Sequence, residues 1–256
     1  MTEDRGAHTY NALFYRYQRE GSLRSARCVL PIVNASLAPR SVVDIGCGAG
    51  AWLSVHGSLG VRDIAGIDGA YVDRSLLMID PADFRPQDIS VPFIAAKTYD
   101  LVQCLEVAEH VPPRCSEVLI DNLVAHGRHI LFSAAAPGQG GEDHINERPC
   151  EFWRDLFAAR SYRLFDFIRP RIVGLADCEP WYRFNILFFA HESVIEGLPE
   201  QVRASRIKDG AAIRDYSPFA YWLQKMLLRQ LPPSAVSRLA VWKHQRAVRS
   251  MRGLRR

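Results

Sequence analysis

Three glycines at alternate positions, Gly46, Gly48 and Gly50, follow directly on a short apolar run, SVVDI. A β-branched run of that kind reads as a strand buried in a parallel sheet, and a helical pattern resumes at Ala51. Strand, glycine turn and helix start leave bare backbone against which a nucleotide-like ligand can lie. The unit points to an α/β chain with a doubly wound, mostly parallel sheet. It leaves the ligand open, because Gly46, Gly48 and Ala51 also satisfy the dinucleotide pattern G-x-G-x-x-G/A.

The following chain supplies the alternation such a sheet needs. Residues 63–67 read as a second strand ending at Asp68-Gly69, and Asp68 stands where doubly wound folds place an acid on a ribose diol. A carboxylate accepts two hydrogen bonds at once, which suits that diol. A third strand falls near Phe84, followed by Asp88-Ile89 in a loop suited to an adenine amino group. Residues 99–105 are nearly all apolar, Gln103 being the polar residue within the run after Asp100, and lead into Glu106, Glu109 and His110, expected at the mouth of the crevice beyond the strand ends. Residues 129–133 read as a fifth strand, 162–168 as a sixth and 183–190 as the last, with helices at 22–37, 51–59, 116–126 and 150–160. Between them, 134–149 is glycine-rich and polar, and reads as an active-site loop carrying His144 and Asn146.

At 256 residues and 48% hydrophobic content the chain can bury a full core, and no apolar run is long enough to span a bilayer. The N-terminus lacks an export signal and the six cysteines form no C-x-x-C pair, so reduced thiols and a cytoplasmic setting are expected. No acidic residue follows Asp215, whereas nine Lys and Arg do, so the net charge of +4 conceals an acidic body and a basic tail.

Taken together, the blocks VVDIGCGAGAW, GIDG, QDIS and YDLVQCLEVAEHVP resemble the motifs of class I S-adenosylmethionine-dependent methyltransferases. Two further blocks, LFSAAAPGQGGEDHINERP and EPWYRFNILFF, resemble a bacterial subgroup, with Arg148 where that subgroup more often has Gln. The resemblance implies a seven-stranded Rossmann-like sheet, S-adenosylmethionine as cofactor and transfer to a small-molecule or saccharide acceptor, a hydroxyl oxygen being expected. It implies cofactor binding by Asp44, Gly46, Cys47, Gly48, Gly50, Asp68, Gly69, Asp88, Ile89 and Glu106. It also resolves the glycine ambiguity, since an acid at Asp44 suits the methionine ammonium and would repel a pyrophosphate.

An alcohol acceptor has a high pKa, so a general base is expected among His144, His110 and Glu109. No spacing matches a recognised metal-ligand signature, and no metal is expected. The alternative reading is a catalytically silent S-adenosylmethionine-binding protein.

The domain reading is a helical cap at 1–40, the methyltransferase domain at 41–192 and a basic helical extension at 193–256. The cap reads as a helix covering the sheet, the alternative being that Tyr10, Tyr15 or Tyr17 forms a lid over a ligand. The second helical piece of the tail, 235–256, is basic and amphipathic. Two readings stand for it: a helical extension packed on the body with a solvated end, or a helix that meets an anionic membrane surface and gives a membrane-peripheral placement; nucleic acid is not expected.

Overall fold

Seven short strands, β1 (Ser41–Ile45), β2 (Asp63–Asp68), β3 (Phe84–Pro86), β4 (Leu101–Leu105), β5 (His129–Ser133), β6 (Tyr162–Phe165) and β7 (Leu187–His191), form one sheet in a computed structural model of the chain. It describes residues 4–232 and positions 235, 236, 238 and 239, with side chains from residue 19 onward. The strand order is β3-β2-β1-β4-β5-β7-β6. Neighbours from β3 to β5 are parallel, and β7 runs antiparallel to both β5 and β6. The order reverses between β1 and β4, and in such sheets the ligand crevice opens beyond the strand ends at that switch point.

The helices are α1 (Asp4–Leu37), α2 (Ala51–Ser58), α3 (Ser116–His126), α4 (Cys150–Ala158), α5 (Arg169–Ile172), α6 (Pro180–Asn185), α7 (Glu200–Arg203) and α8 (Phe219–Leu228). Alternate residues of β1 serve two separate apolar clusters, as the period-two pleat requires. Val42 joins Ala26, Leu30 and Val33 of α1, Trp52 and Leu53 of α2 and Tyr182 of α6. Val43 and Ile45 join Leu119 and Leu123 of α3 and Trp153 and Phe157 of α4. Each fully buried large apolar side chain contributes about 1.5–3 kcal/mol, so the helices are fixed by these two clusters more than by propensity.

Three expectations are corrected. Helix α1 starts at Asp4, well before residue 22. Residues 183–185 belong to α6 and not to the last strand: Pro180 at the helix start presets φ, and the Arg183 amide closes a turn on the Glu179 carbonyl at 2.9 Å. Strand β4 starts at Leu101, Tyr99 making only an isolated bridge to Gly127. The lid expected of Tyr10, Tyr15 or Tyr17 falls on side chains outside the described residues. The basic piece at 235–256 also lies outside them, apart from four positions. Among the described residues no helix is long and apolar enough to cross a membrane, and all six cysteines are free.

Beyond β7 the chain returns to the body. Arg169 Nη1 donates to the Arg214 carbonyl at 3.1 Å, and Arg229 Nε, just past α8, donates to the Pro137 carbonyl at 2.7 Å. Helix α8 thereby packs on the loop between β5 and α4.

Candidate active site

The turn after β1 hangs from the neighbouring strand: the amides of Gly46 and Cys47 donate to the Ile67 carbonyl at 2.7 and 3.3 Å. Gly46 has φ +89°, and a Cβ there would stand 2.4 Å from the Val107 side chain, so only glycine lets the two segments meet. Gly48 has φ +52° and nothing within 4 Å of its missing Cβ, so its backbone faces open space. Asp68, at the end of β2 and 5% exposed, fixes this turn. Its Oδ2 accepts from the Gly48 amide at 2.7 Å, and its Oδ1 from the Gly69 amide at 2.6 Å and the Tyr71 hydroxyl at 2.5 Å.

Asp44 pairs in register with Gln103 across β1 and β4, and Gln103 Nε2 donates to its Oδ2 at 2.7 Å. Burial pushes the Asp44 carboxyl up to about 7, against the Gln103 bond and with help from the Asp68 charge. Gln103 Oε1 lies 3.1 Å from His56 Nε2, and burial takes that imidazole down to about 4, so His56 is a neutral donor. Cys47 is buried in the turn, its thiol donating to the Gly48 carbonyl at 3.4 Å and raised far above its ordinary value by burial. Asp88 is exposed and turns back on Ser90, accepting from its amide and its hydroxyl. Ile89 is half-buried, and its carbonyl accepts from Asn122 Nδ2 at 3.1 Å.

Across the crevice, Glu106 follows β4 in the left-handed region at φ +55°, which costs a non-glycine residue about 1–3 kcal/mol and is typical of functional sites. Its amide donates to the Ser133 carbonyl at 3.0 Å, and its carboxylate accepts from Gln139 Nε2 at 2.8 Å and Asn185 Nδ2 at 3.4 Å. Burial raises its pKa against these bonds. Glu109 was expected at the mouth of the site but is 1% exposed. Burial, then the Glu106 charge, pushes its carboxyl well up. The backbone explains its depth, since the Ile145 and Asn146 amides both donate to the Glu109 carbonyl, at 2.9 and 3.0 Å, and draw the 134–149 loop over it.

That loop is organised by Glu147. Its Oε2 accepts from the Gly138 amide at 2.7 Å and its Oε1 from the Gly140 amide at 2.8 Å, with His144 Nδ1 at 3.0 Å from the same oxygen. Burial opposes ionisation, yet these bonds outweigh it and hold Glu147 below the usual carboxylate range. Because a carboxylate only accepts, His144 carries its hydrogen on Nδ1 and its lone pair on Nε2. His110 stands edge-on to it, ring centroids 4.9 Å apart. Burial, then the neighbouring His144, keeps His110 below its ordinary value. Asn146 is a structural residue, donating to the Ala108 carbonyl and Ser116 Oγ and accepting from Arg148 Nε at 3.0 Å.

The geometry therefore brings Asp44, Gly48 and Asp68 together on one side, and Glu106, Glu109, His110 and His144 on the other, with Val107 joining them at Gly46. Asp88 and Ile89 are engaged elsewhere, Asp88 with Ser90 and the Ile89 carbonyl with Asn122. Sequence reasoning missed Gln103, Gln139, Glu147 and Asn185 as site residues. Only Gln103 carried a signal, as the one polar residue in an apolar strand.

A family model described as "Methyltransferase domain" matches residues 15–170. A ubiquinone biosynthesis O-methyltransferase of Methylobacterium sp. (strain 4-46) is 32% identical over 117 residues, 43% of this chain and 46% of that one. Another, of Stutzerimonas stutzeri (strain A1501), is 28% identical over 189 residues, 64% of this chain and 77% of that one. The chain thus spans about half the length of the first relative. Among solved structures, the sugar N-methyltransferase KedS8 from Streptoalloteichus sp ATCC 53650 superposes with a TM-score of 0.55 at 15% identity, over 71% of this chain and 92% of that one. That likeness bears on the fold alone.

Proposed function

The chain belongs to the class I S-adenosylmethionine-dependent methyltransferase family, and on that premise we propose that it methylates a hydroxyl oxygen of a small-molecule acceptor, saccharides included. The observation that carries the reading is the contact of Val107 with Gly46, which sets the Glu109–His110–His144 group beside the glycine turn. The O-methyltransferase names of the curated relatives support an oxygen acceptor.

Two features fit the cofactor. Gly48 leaves its backbone open, and Asp68 already holds one hydroxyl donor, Tyr71 Oη, in the way it would hold a ribose hydroxyl. Asp44 and Gly48 would take the methionine end, Asp68 and Gly69 the ribose, and Asp88 with Ile89 the adenine. When bound, S-adenosylmethionine supplies an electrophilic methyl group on a sulfonium. The chain's own residues align the acceptor and exclude water, effects that together reach about 7–11 kcal/mol. The acceptor's proton is the task of the Glu109–His110–His144 group. In the protein without bound metal, His144 takes it at Nε2, with Glu147 holding the ring from the other nitrogen.

Calorimetry with S-adenosylhomocysteine, followed by a methyl-release assay on a panel of hydroxylated acceptors, tests the reading. Removing a general acid or base typically costs about 10²–10⁴ in rate, so His144→Ala should lower kcat on that scale and leave cofactor affinity unchanged. Unaltered turnover would take His144 out of the mechanism. Cofactor binding with no turnover on any acceptor would favour a cofactor-binding protein without catalysis.

A further inference from the structure

Glu109 is 1% exposed, and its Oε2 has no hydrogen-bond partner. A buried carboxylate oxygen without a partner is costly, and proteins rarely keep one without a cation or a donor to meet it. Two side chains converge on this carboxylate: an oxygen of Glu109 and one ring nitrogen each of His110 and His144 all lie within 4.8 Å of one another. Both histidines are already oriented from the far side. His110 Nδ1 lies 3.3 Å from the Asp143 carbonyl and His144 Nδ1 3.0 Å from Glu147 Oε1. Each of those partners can only accept, so each Nδ1 carries the hydrogen and each Nε2 keeps its lone pair. An outer acceptor on the far nitrogen is how metal-binding histidines are held. One proton would satisfy one of these three acceptors; a cation would satisfy all of them.

We infer that Glu109, His110 and His144 bind a divalent transition-metal ion. Two imidazoles and one carboxylate suit Mn²⁺, Fe²⁺ or Zn²⁺ better than Mg²⁺ or Ca²⁺, which take oxygen ligands. Ligands at about 2.0–2.2 Å from an ion stand roughly 3–3.5 Å apart, so a side-chain shift of about 1 Å closes the site. Gly141 leaves room for this, since a Cβ there would stand 2.1 Å from His144 Nε2 and cover it. Three protein ligands leave coordination positions open. That an acceptor hydroxyl fills one of them rests on the methyl-transfer reading. There the ion would lower the hydroxyl's pKa and its proton would leave to solvent, so His144 would hold the metal and not the proton.

The test uses the full chain stripped with a chelator and titrated with Mn²⁺ and with Zn²⁺, by calorimetry and, for Mn²⁺, by electron paramagnetic resonance. One ion per chain is expected, and Glu109→Gln and His110→Ala should each weaken binding more than about tenfold. S-adenosylhomocysteine affinity, measured on the same samples and expected unchanged, shows that the variants are folded. No binding of either ion by the wild type, or equal binding by wild type and both variants, would overturn the site. Ion binding without methyl transfer to any acceptor would sink the activity and leave the site standing. Methyl transfer by a protein that binds neither ion would do the reverse.

Discussion

A carboxylate in the middle of a sheet needs a donor, and at Asp44 that donor is Gln103, itself held by His56. The arrangement leaves Asp44 protonated about half the time near neutrality, because burial raises it to about 7. The sign of the consequence follows. Without ligand the folded state holds this proton where the unfolded chain has lost it, so the group's contribution to stability falls as pH rises from about 4 to about 7, then levels. With the methionine end at Asp44 as proposed, the cofactor's ammonium would prefer the ionised form, and binding would run the other way. S-adenosylhomocysteine affinity should rise by up to about tenfold between pH 6 and pH 8, a span that takes such a carboxyl from mostly protonated to mostly ionised. Calorimetry across that range checks it, and Asp44→Asn should flatten the profile. A flat wild-type profile would mean that Asp44 does not face the ammonium.

At the scale of elements, the 134–149 loop is clamped from two sides, by Glu147 within and by α8 outside. Gly138 shows how close the outer clamp is: φ is +83°, and a Cβ would stand 2.1 Å from the Lys225 carbonyl. Gly138→Ala should push α8 off the loop, at a backbone cost of about 1–2 kcal/mol before the clash is counted. The expected signature is a lower melting temperature and reduced kcat/KM for the acceptor, with cofactor affinity kept. A melting curve and a kinetic assay read both. The same elements mark what was legible in the sequence. Strands β1, β2, β4 and β5 show as β-branched or apolar runs, the first three leading into an acid or glycines, and those runs mark Asp44, Asp68 and the loop of His144 as candidates. Helix α6 does not show, because six residues in front of an apolar run carry no period of their own. Gln139, Glu147 and Asn185 do not show either, since their roles come from pairings that only folding makes. Asn185 meets Glu106 across 79 positions, and Glu147 reaches its two amides around a turn with no fixed pattern.

Across the whole molecule, one buried ion pair ties the sheet to the returning C-terminal segment. Arg169 donates from Nε and Nη2 to Asp166 at 2.9 and 2.8 Å, and from Nη1 to the carbonyls of Phe184 and Arg214. Removing one member of such a pair strands a charge, so Arg169→Ala should cost about 3–5 kcal/mol, read from urea denaturation. A loss under about 1 kcal/mol, the level of an exposed pair, would show that water already screens it. The sheet's order has a consequence for how the chain is made. Strand β6 ends at Phe165, and β7, the strand it pairs with among the described residues, does not begin until Leu187. At about 5–20 residues per second, a ribosome leaves β6 unpaired for roughly 1–4 s, and the outer edge of β5, complete at Ser133, open for roughly 3–11 s. Open strand edges invite pairing with other chains. The moment of greatest exposure for the nascent protein therefore falls after the cofactor half has been translated, while α6 is still emerging.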